Sequence, residues 1–442
     1  MATIAPTLAM AFNVSLAVQF AGPAAPLAFV IGTVLVLIVG LSFIAWSRRV
    51  AHAGSAYAYI TQAFGKRWGF IAGWALLLTY LTYGAGTSAL VGNFIEAAAR
   101  TSGLEGPSLW MSVSVAATVC ATFLARRNMR LAGRLMLTME GLSLLAVTVL
   151  SIVIIAKISA LHSLSARPFT PSPAYHGWAG VGYALVFAVL SFGGFEAAAT
   201  LGEETNNPHR NIPFAILGTL LLAGMLYVVI SYAQVIGFGL QNADALAKDA
   251  APLDTLAVRY TSRSFAVVLD LAAALGGFSC VLGALSAAGR MLYALGRAGL
   301  APNRDKRGTL ERAILISGAA CLLCLLVWAP HAGPRAYYGA LGTVGTLALI
   351  LVYMGVAWAQ AKEAATRRRG VGCAVGLAGA LLLVWPLYNS VYPVPAYPDN
   401  LWPLLLLGWL ACGGLLLRLR PELARRKLPE MEQPENDQFD VA

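Results

Sequence analysis

Charge is scarce in this chain. Asp, Glu, Lys and Arg make up only 12% of the 442 residues, whereas hydrophobic residues make up 58% and the mean hydropathy is +0.70. A soluble domain carries roughly twice that share of charge. Apolar runs of about 20 residues, long enough to cross a bilayer, recur along the whole chain. The composition excludes an ordinary water-soluble protein and predicts a polytopic protein embedded in a lipid bilayer.

The residues that catalytic and metal sites require are also sparse. The five histidines are scattered over the connectors between apolar runs, and no HExxH, GxSxG or phosphate-binding glycine loop occurs. All six cysteines fall inside apolar runs, so no disulfide framework is indicated. Cys321 and Cys324 have CxxC spacing but lack a second pair of ligands. The sequence therefore predicts neither an enzyme nor a metal site or cofactor.

The basic residues give the topology. They lie in short clusters between apolar runs and not in one patch, so the net charge of +11 does not indicate nucleic-acid binding. Twelve spans are predicted, the first within residues 1–22 and the others at about 26–46, 69–95, 109–124, 135–158, 179–202, 212–238, 264–292, 312–329, 338–360, 372–389 and 400–417. When the connectors are assigned alternately to the two sides, 24 of the 31 Lys and Arg residues fall on one side and seven on the other. Because Lys and Arg accumulate on the cytoplasmic side, both termini are expected in the cytoplasm. The membrane that the chain spans is expected to be the plasma (inner) membrane.

The two ends of the chain differ in character. The first residues are apolar, with no basic region before them and no cleavage site, so a signal peptide is not expected. This abrupt beginning is consistent with two expectations: either a cytoplasmic leader and part of the first helix are missing from the sequence, or Pro6 simply starts the first helix. Residues 1–417 are expected to form one transmembrane domain. Residues 418–442 are basic, then acidic and turn-rich, and are expected to form a disordered cytoplasmic tail.

The sixth predicted span contains paired glycines at its centre, in the run Ser191-Phe192-Gly193-Gly194-Phe195. Glycine weakens a helix and lets a ligand approach the backbone. A broken helix in a membrane leaves N–H and C=O groups that hydrocarbon cannot satisfy, so it must face protein or a water-filled cavity. Transporters hold substrates at such half-helix ends. The alternative is that the glycines only allow a neighbouring helix to pack closely.

Three carboxylates lie within or beside the predicted spans, where each costs about 3 kcal/mol on insertion scales. Glu140 is either a proton or cation relay or a partner of Arg134 or another basic residue. Glu196 follows the glycines directly, so it could cap the second half-helix, hold a gate shut or meet a cationic group of a substrate. Asp270 is expected to be an interfacial charge. In the third span Tyr80 and Tyr83 either pack between helices or orient a ligand with their hydroxyls.

Three stretches resemble the amino acid–polyamine–organocation superfamily of permeases. The sixth span and its exit, SFGGFEAAATLGEETNNPHRNIPFAI, look like the superfamily's most recognisable segment. The eighth span, FSCVLGALSAAGRMLYALGRAGLAP, and the connector AGSAYAYITQAFGKRWGFIAGW are similar to two further segments. The resemblance implies an all-α LeuT-type fold of twelve helices, in which helices 1–5 and 6–10 are inverted repeats and helices 1 and 6 are discontinuous.

The resemblance also implies a binding site. The substrate would be held by backbone groups of the first helix, at Ile4, Ala5, Pro6, Thr7 and Leu8, and of the sixth, from Ser191 to Phe195. Phe192 or Phe195 would close over the ligand. The chain departs from the superfamily in its first helix, where a glycine-rich break is usual, because Pro6 offers no N–H and Leu8 leaves less room. Where some relatives carry a lysine in the fifth helix, the nearby ionisable residue here is Glu140.

Together these features predict a secondary transporter that moves an amino acid or a related organic amine by alternating access. A proton, another ion or exchange would drive it. The alternative is a non-transporting sensor or scaffold with the same fold. A channel is disfavoured because no ring-forming polar repeat is evident.

Overall fold

The computed structural model of the chain is all-helical over the residues it describes, which are 5–50, 54–104, 108–127, 129–201, 205–296 and 306–420. The side chains of residues 127, 129–136, 139, 200, 201 and 306–309 are not described. The α-helices are α1 Pro6–Ala21, α2 Ala25–Ser47, α3 Ala56–Phe64, α4 Lys66–Thr101, α5 Trp110–Arg127, α6 Met129–Ala160, α7 Gly177–Phe192, α8 Pro208–Phe238, α9 Ala243–Lys248, α10 Pro252–Tyr260, α11 Arg263–Leu295, α12 Lys306–Thr366, α13 Gly370–Leu382, α14 Val384–Asn389 and α15 Trp402–Leu419. From residue 421 onwards the predicted tail lies outside the described residues.

Helices lie at each of the twelve predicted positions, although the breaks between them are not all sharp. Within the described residues, nine segments are long and apolar enough to cross a membrane, and α5 is a shorter apolar helix. Two of the nine each combine two predicted spans. Pro6–Ser47 holds α1 and α2, which are separated by a short turn at Gly22–Ala24, and Leu310–Thr366 is bent at Gly333, whose φ is 76°. The number of helices that cross the bilayer stays a prediction.

Burial separates central from peripheral helices. In the span Gly177–Ala199, which contains α7, 89% of the apolar window is buried, whereas in Asp399–Leu419, which contains α15, the figure is 17%. All described residues of α1 except Gln19 and Phe20 are buried. An apolar helix that is exposed on most sides suits lipid, and one that is buried on all sides belongs to the protein interior. Helices α1 and α7 therefore form the centre, and α15 lies at the periphery.

Helix α15 is fixed to the bundle by a reciprocal tryptophan pair. The indole N–H of Trp74 in α4 donates to the carbonyl of Trp409, and the indole N–H of Trp409 donates to the carbonyl of Trp74, both at 2.8 Å. The two rings stack with centroids 4.6 Å apart. A Cβ on Gly413 would lie 2.5 Å from the Trp74 ring, so only glycine leaves room for this arrangement.

The sixth predicted span is broken where the glycines predicted it. Helix α7 ends at Phe192, and Gly194 has a φ of 111°, which costs a residue with a side chain considerably more than glycine. The chain then continues as a 3-10 helix, Phe195–Leu201. The predicted discontinuity of helix 6 is therefore confirmed. The first helix begins at Pro6 after Ala5 in the left-handed conformation (φ 43°), and Ile4 lies outside the described residues.

Candidate functional site

A small cavity lies beside the break, between α1, α4, α7, α11 and α12. Its volume is about 20 Å³, which is room for about one water molecule. Its lining comprises Ala5, Leu8, Ala9, Asn13, Thr82, Tyr83, Thr87, Leu190, Gly193, Cys280, Tyr338 and Gly342. Small-molecule sites are commonly about 300 Å³ or larger. The structure is thus closed around this point, and an organic substrate can enter only if the surrounding helices move.

Tyr83 closes one side of the cavity against the broken backbone. A Cβ on Gly193 would lie 2.6 Å from Cε2 of Tyr83 and 2.8 Å from its hydroxyl oxygen. The Tyr83 hydroxyl also lies 3.2 Å from Oγ1 of Thr346 in α12, within hydrogen-bond distance. The missing side chain of Gly193 therefore allows α4 to reach the first backbone unit after α7.

A chain of buried hydrogen bonds joins four helices beside the cavity. The Tyr338 hydroxyl donates to Oδ1 of Asn13 at 2.8 Å, and Nδ2 of Asn13 donates to Oγ of Ser191 at 2.9 Å. The Tyr227 hydroxyl donates to the Ser191 carbonyl at 2.7 Å, at the point where α7 is about to end. These bonds connect α1, α7, α8 and α12, so the closed cavity depends on polar groups that would have to separate when it opens.

Glu196 holds the inner side of the break. Its Oε2 accepts the backbone N–H of Gly194 at 3.0 Å and the hydroxyl of Tyr353 at 2.7 Å. The Tyr80 hydroxyl lies beside the same carboxyl group. The hydroxyl of Ser55, just before α3, donates to the Glu196 carbonyl at 3.2 Å. Glu196 therefore caps the broken helix and ties it to α12, which corresponds to the capping alternative raised by the sequence; its role as a gate stays a prediction.

Glu140 is placed in the same way at the start of α1. Its Oε1 accepts the backbone N–H of Thr7 at 3.0 Å, one of the N–H groups that a helix leaves unpaired in its first turn. Its Oε2 has no hydrogen-bond partner among the described residues, although the Thr7 hydroxyl lies beside the carboxyl group. A Cβ on Gly276 of α11 would lie 2.9 Å from Oε2. Glu140 therefore sits where α1, α6 and α11 meet, and the side chain of Arg134 lies outside the described residues.

The predicted site residues separate into three groups. Ala5, Leu8, Tyr83 and Gly193 line the cavity. A second group does not line the cavity but belongs to the hydrogen bonds around it or lies beside one of the two glutamates: Thr7, Tyr80, Ser191, Gly194, Glu140 and Glu196. Pro6 is buried at the start of α1 without lining the cavity.

The two phenylalanines proposed to close over a ligand point elsewhere. The Phe192 ring packs against Tyr227 at 4.9 Å, and the Phe195 ring packs against Phe43 and Tyr353, both at 5.2 Å. Neither lines the cavity. The aromatic side chains that do line it are Tyr83 and Tyr338.

Asp270 does not match the expectation of an interfacial charge. Only 1% of it is exposed, and its carboxyl group lies beside that of Asp254. The reason is that α10 packs across α11 and covers this position. Burial, with a smaller contribution from the charge of Asp249, raises the pKa of Asp254, which lies outside the spans.

Asn13, Tyr338 and Tyr227 were missed by the sequence reasoning. Asn13 could have been found, because an amide in the middle of an apolar membrane helix needs a partner and often marks a functional position. Tyr338 and Tyr227 carry no comparable signal. Among the described residues no group of three or more His, Cys, Asp and Glu side chains could hold a metal ion.

The fold defines the class of protein. It is similar to the structure of a Na⁺-coupled sialic acid symporter in its substrate-bound outward-open state, with a TM-score of 0.53, 13% sequence identity and 89% of both chains covered. The chain therefore has the LeuT-type fold of membrane transporters. The sequence profile of the amino acid permease family matches residues 2–411, and the chain belongs to that family.

Curated relatives include several kinds of permease. The chain is 28% identical over 354 residues to the branched-chain amino acid permease BcaP of Lactococcus lactis subsp. cremoris, covering 77% of this chain and 75% of the relative. It is 24% identical over 318 residues to the low-affinity putrescine importer PlaP of Escherichia coli K12, covering 68% and 66%. It is 30% identical over 233 residues to human cationic amino acid transporter 4, covering 49% and 36%. Relatives that transport neutral, cationic and diamine compounds do not single out one substrate.

Proposed function

We propose that this protein is a secondary active transporter that moves an amino acid or a related organic amine across the plasma membrane by alternating access. The observation that carries the proposal is the closed cavity beside the broken α7. Free backbone groups at such a break can grip a small solute, and the family relatives carry amino acids and amines. The excess of Lys and Arg on one side supports cytoplasmic termini.

The substrate is held by the two broken elements. The backbone around Gly193 and Gly194 and the first turn of α1, from Ala5 to Leu8, supply the N–H and C=O groups for the ammonium and carboxylate. Leu8 and Leu190 present alkyl groups to the same cavity. Among the described lining residues none is charged, which favours a substrate with a small uncharged side chain.

Glu140 and Glu196 are the proposed coupling residues. Both are buried, and each has one carboxyl oxygen without a hydrogen-bond partner among the described residues, where a proton can reside. Each also holds the first free N–H of a helix that must move during transport. Opening the site breaks these bonds, so protonation of the two carboxyl groups is linked to the position of the helices.

The test is uptake into proteoliposomes. We expect saturable uptake of at least one labelled amino acid or amine, and accumulation of it when the outside is acidic. Glu140→Gln should abolish accumulation driven by pH while exchange of internal for external substrate continues. The matched control is Glu311→Gln, which removes a carboxylate that pairs with Arg126 at 3.3 Å near the surface.

Three results would contradict the proposal at different levels. The absence of saturable uptake across a panel of amino acids, polyamines and simple amines would refute transport. Thermal stabilisation by a ligand without any flux would instead indicate a sensor. Intact accumulation in Glu140→Gln would leave transport standing and remove only the coupling role.

A further inference from the structure

A second cleft, of about 590 Å³, opens at the predicted cytoplasmic end of the bundle, away from the central cavity. It lies between the C-terminal end of α2 and the first turns of α8. Arg48, His209 and Arg210 line its polar part, and Ile44, Phe214 and Leu217 line its apolar part. No step of the proposed transport mechanism uses these residues.

The cleft lies at one end of a tightly packed pair of helices. Further along, side chains of α2 and α8 pack directly on the glycine backbone of the other helix: a Cβ on Gly40 would lie 2.3 Å from Cδ1 of Leu220, and one on Gly224 would lie 2.2 Å from Cγ2 of Thr33. Small residues allow this approach in membranes. At the predicted cytoplasmic end the larger side chains of Ile44 and Leu217 line the cleft. Nδ1 of His209 lies 3.3 Å from the Ser47 carbonyl and connects the two helix ends there.

The two parts of the cleft suit the two parts of a phospholipid. Arg48 and Arg210 are exposed, and within the described part of the chain neither guanidinium group makes an ion pair or a hydrogen bond. One guanidinium group can donate two parallel hydrogen bonds to two oxygens of the same phosphate. Phe214 is 79% exposed and Leu217 39%, both on the surface that faces lipid. Arg48 directly follows α2 and Arg210 lies in the first turn of α8, so both are at the depth of lipid headgroups.

We infer that this cleft binds an anionic phospholipid. The phosphate lies between Arg48 and Arg210, and the first part of an acyl chain lies against Phe214 and Leu217. Basic pockets between transmembrane helices at this membrane surface bind anionic headgroups. A free anion would make no contact with the apolar wall. A zwitterionic lipid would place the cation of its own headgroup close to the two arginines.

The inference can be tested by native mass spectrometry of the purified full chain, titrated with phosphatidylglycerol or with phosphatidylcholine of the same acyl chains. We expect the wild type to bind phosphatidylglycerol more tightly. Each of Arg48→Gln and Arg210→Gln should weaken this binding about fivefold, and the double variant about 25-fold, which corresponds to the usual contribution of one basic residue at an anionic surface. Binding of phosphatidylcholine should not change.

A matched control separates a specific site from general attraction to charge. Arg67→Gln removes an exposed arginine from the same predicted side, at the start of α4 and outside the cleft, and should leave binding unchanged. Phe214→Ala keeps every charge and should weaken lipid binding but not the binding of inorganic phosphate. Equal unfolding midpoints in phosphatidylcholine would show that the variants remain folded.

The outcomes that would overturn the inference are distinct. If the double variant retained phosphatidylglycerol as the wild type does, the arginines would not form the site. If Arg67→Gln lost binding equally, the effect would be non-specific. If inorganic phosphate displaced the lipid at equal concentration, the cleft would be an anion site without a role for the acyl chain. Because no arm measures transport, failure here would leave the proposed function untouched.

Discussion

Arg335 fastens the predicted outer face of the closed cavity. It follows the bend at Gly333 in α12, and its guanidinium group donates to the carbonyls of Asp249, at 2.6 Å, and Ala247. The same group lies 5.4 Å from the centre of the Phe12 ring. One turn further along α12, Tyr338 lines the cavity and donates a hydrogen bond to Asn13. Arg335 thus connects the end of α9 and the residue that follows it to α1.

Replacing Arg335 by Met should release this segment. A hydrogen bond from a charged donor contributes about 1.5–3 kcal/mol, and a cation–π contact about 0.5–1 kcal/mol. Arg335 makes two such hydrogen bonds to backbone carbonyls and one such contact, and the cost of burying its guanidinium group, several kcal/mol, offsets part of their summed contribution. We therefore expect a net loss of about 3 kcal/mol in the free energy that keeps α9 closed, which is about a 100-fold increase in local opening. Arg335→Lys should give an intermediate value, since one ammonium group cannot reproduce the planar fork.

Hydrogen–deuterium exchange measures this opening directly. Peptides covering α9 and α10 should lose about 100-fold protection in Arg335→Met, whereas peptides from α15 should not change. Arg263→Met, at the exposed start of α11 on the same predicted face, is the control. The proposed role of Arg335 in keeping α9 closed is refuted if the protection of α9 changes less than threefold, or if Arg263→Met loses as much protection there as Arg335→Met does.

Three further predictions concern other parts of the molecule. Gly193→Ala places a Cβ 2.6 Å from the Tyr83 ring, so the site cannot close and uptake should fall at least tenfold without loss of membrane insertion; normal uptake would show that this contact is dispensable. Asp254 has a raised folded-state pKa, so the wild type should lose stability as the pH rises above 3.8, the ordinary value for Asp, towards the raised value. Asp254→Asn should flatten that slope in thermal unfolding midpoints, and an unchanged slope would contradict the assignment. Gly413→Leu should displace Trp74 and detach α15, seen as faster proteolysis of the last helix while transport persists; retained protease resistance would contradict this.

Residue pattern alone accounts for much of the fold. The spans could be placed because bilayer thickness fixes the length of apolar runs, and the break in α7 could be placed because Gly193 and Gly194 supply backbone freedom that other residues lack. The helical positions of Glu140 and Glu196 were equally visible. Their distant partners were not, because Thr7 lies 133 residues from Glu140 and Tyr353 lies 157 residues from Glu196, and only the packed bundle brings each pair together.

The differences between expectation and structure have a common physical origin. The resemblance implied that Phe192 or Phe195 closes over the ligand, yet which way each ring turns depends on the dihedral angles of the break. Those angles direct Phe192 towards Tyr227 in α8. Asp270 was assigned to the interface from its place in α11, but the covering helix α10 comes from a connector whose path the hydropathy pattern does not specify. Sequence pattern fixes depth along a helix better than it fixes the face on which a side chain lies.

The two glutamates share an arrangement that bears on how substrate and coupling are related. Thr7 is in the first turn of α1, and Gly194 precedes the 3-10 helix; in the closed structure the free N–H of each is accepted by a buried carboxylate. A substrate carboxylate seeks the same kind of donor, since such helix starts favour negative charge. In the proposed site it would take the N–H of Thr7 only if Glu140 left, and the displaced Glu140 would lack its hydrogen bond in a buried position, which would favour uptake of a proton. In the proposed mechanism, competition for one backbone donor would then be sufficient to link substrate binding to proton binding.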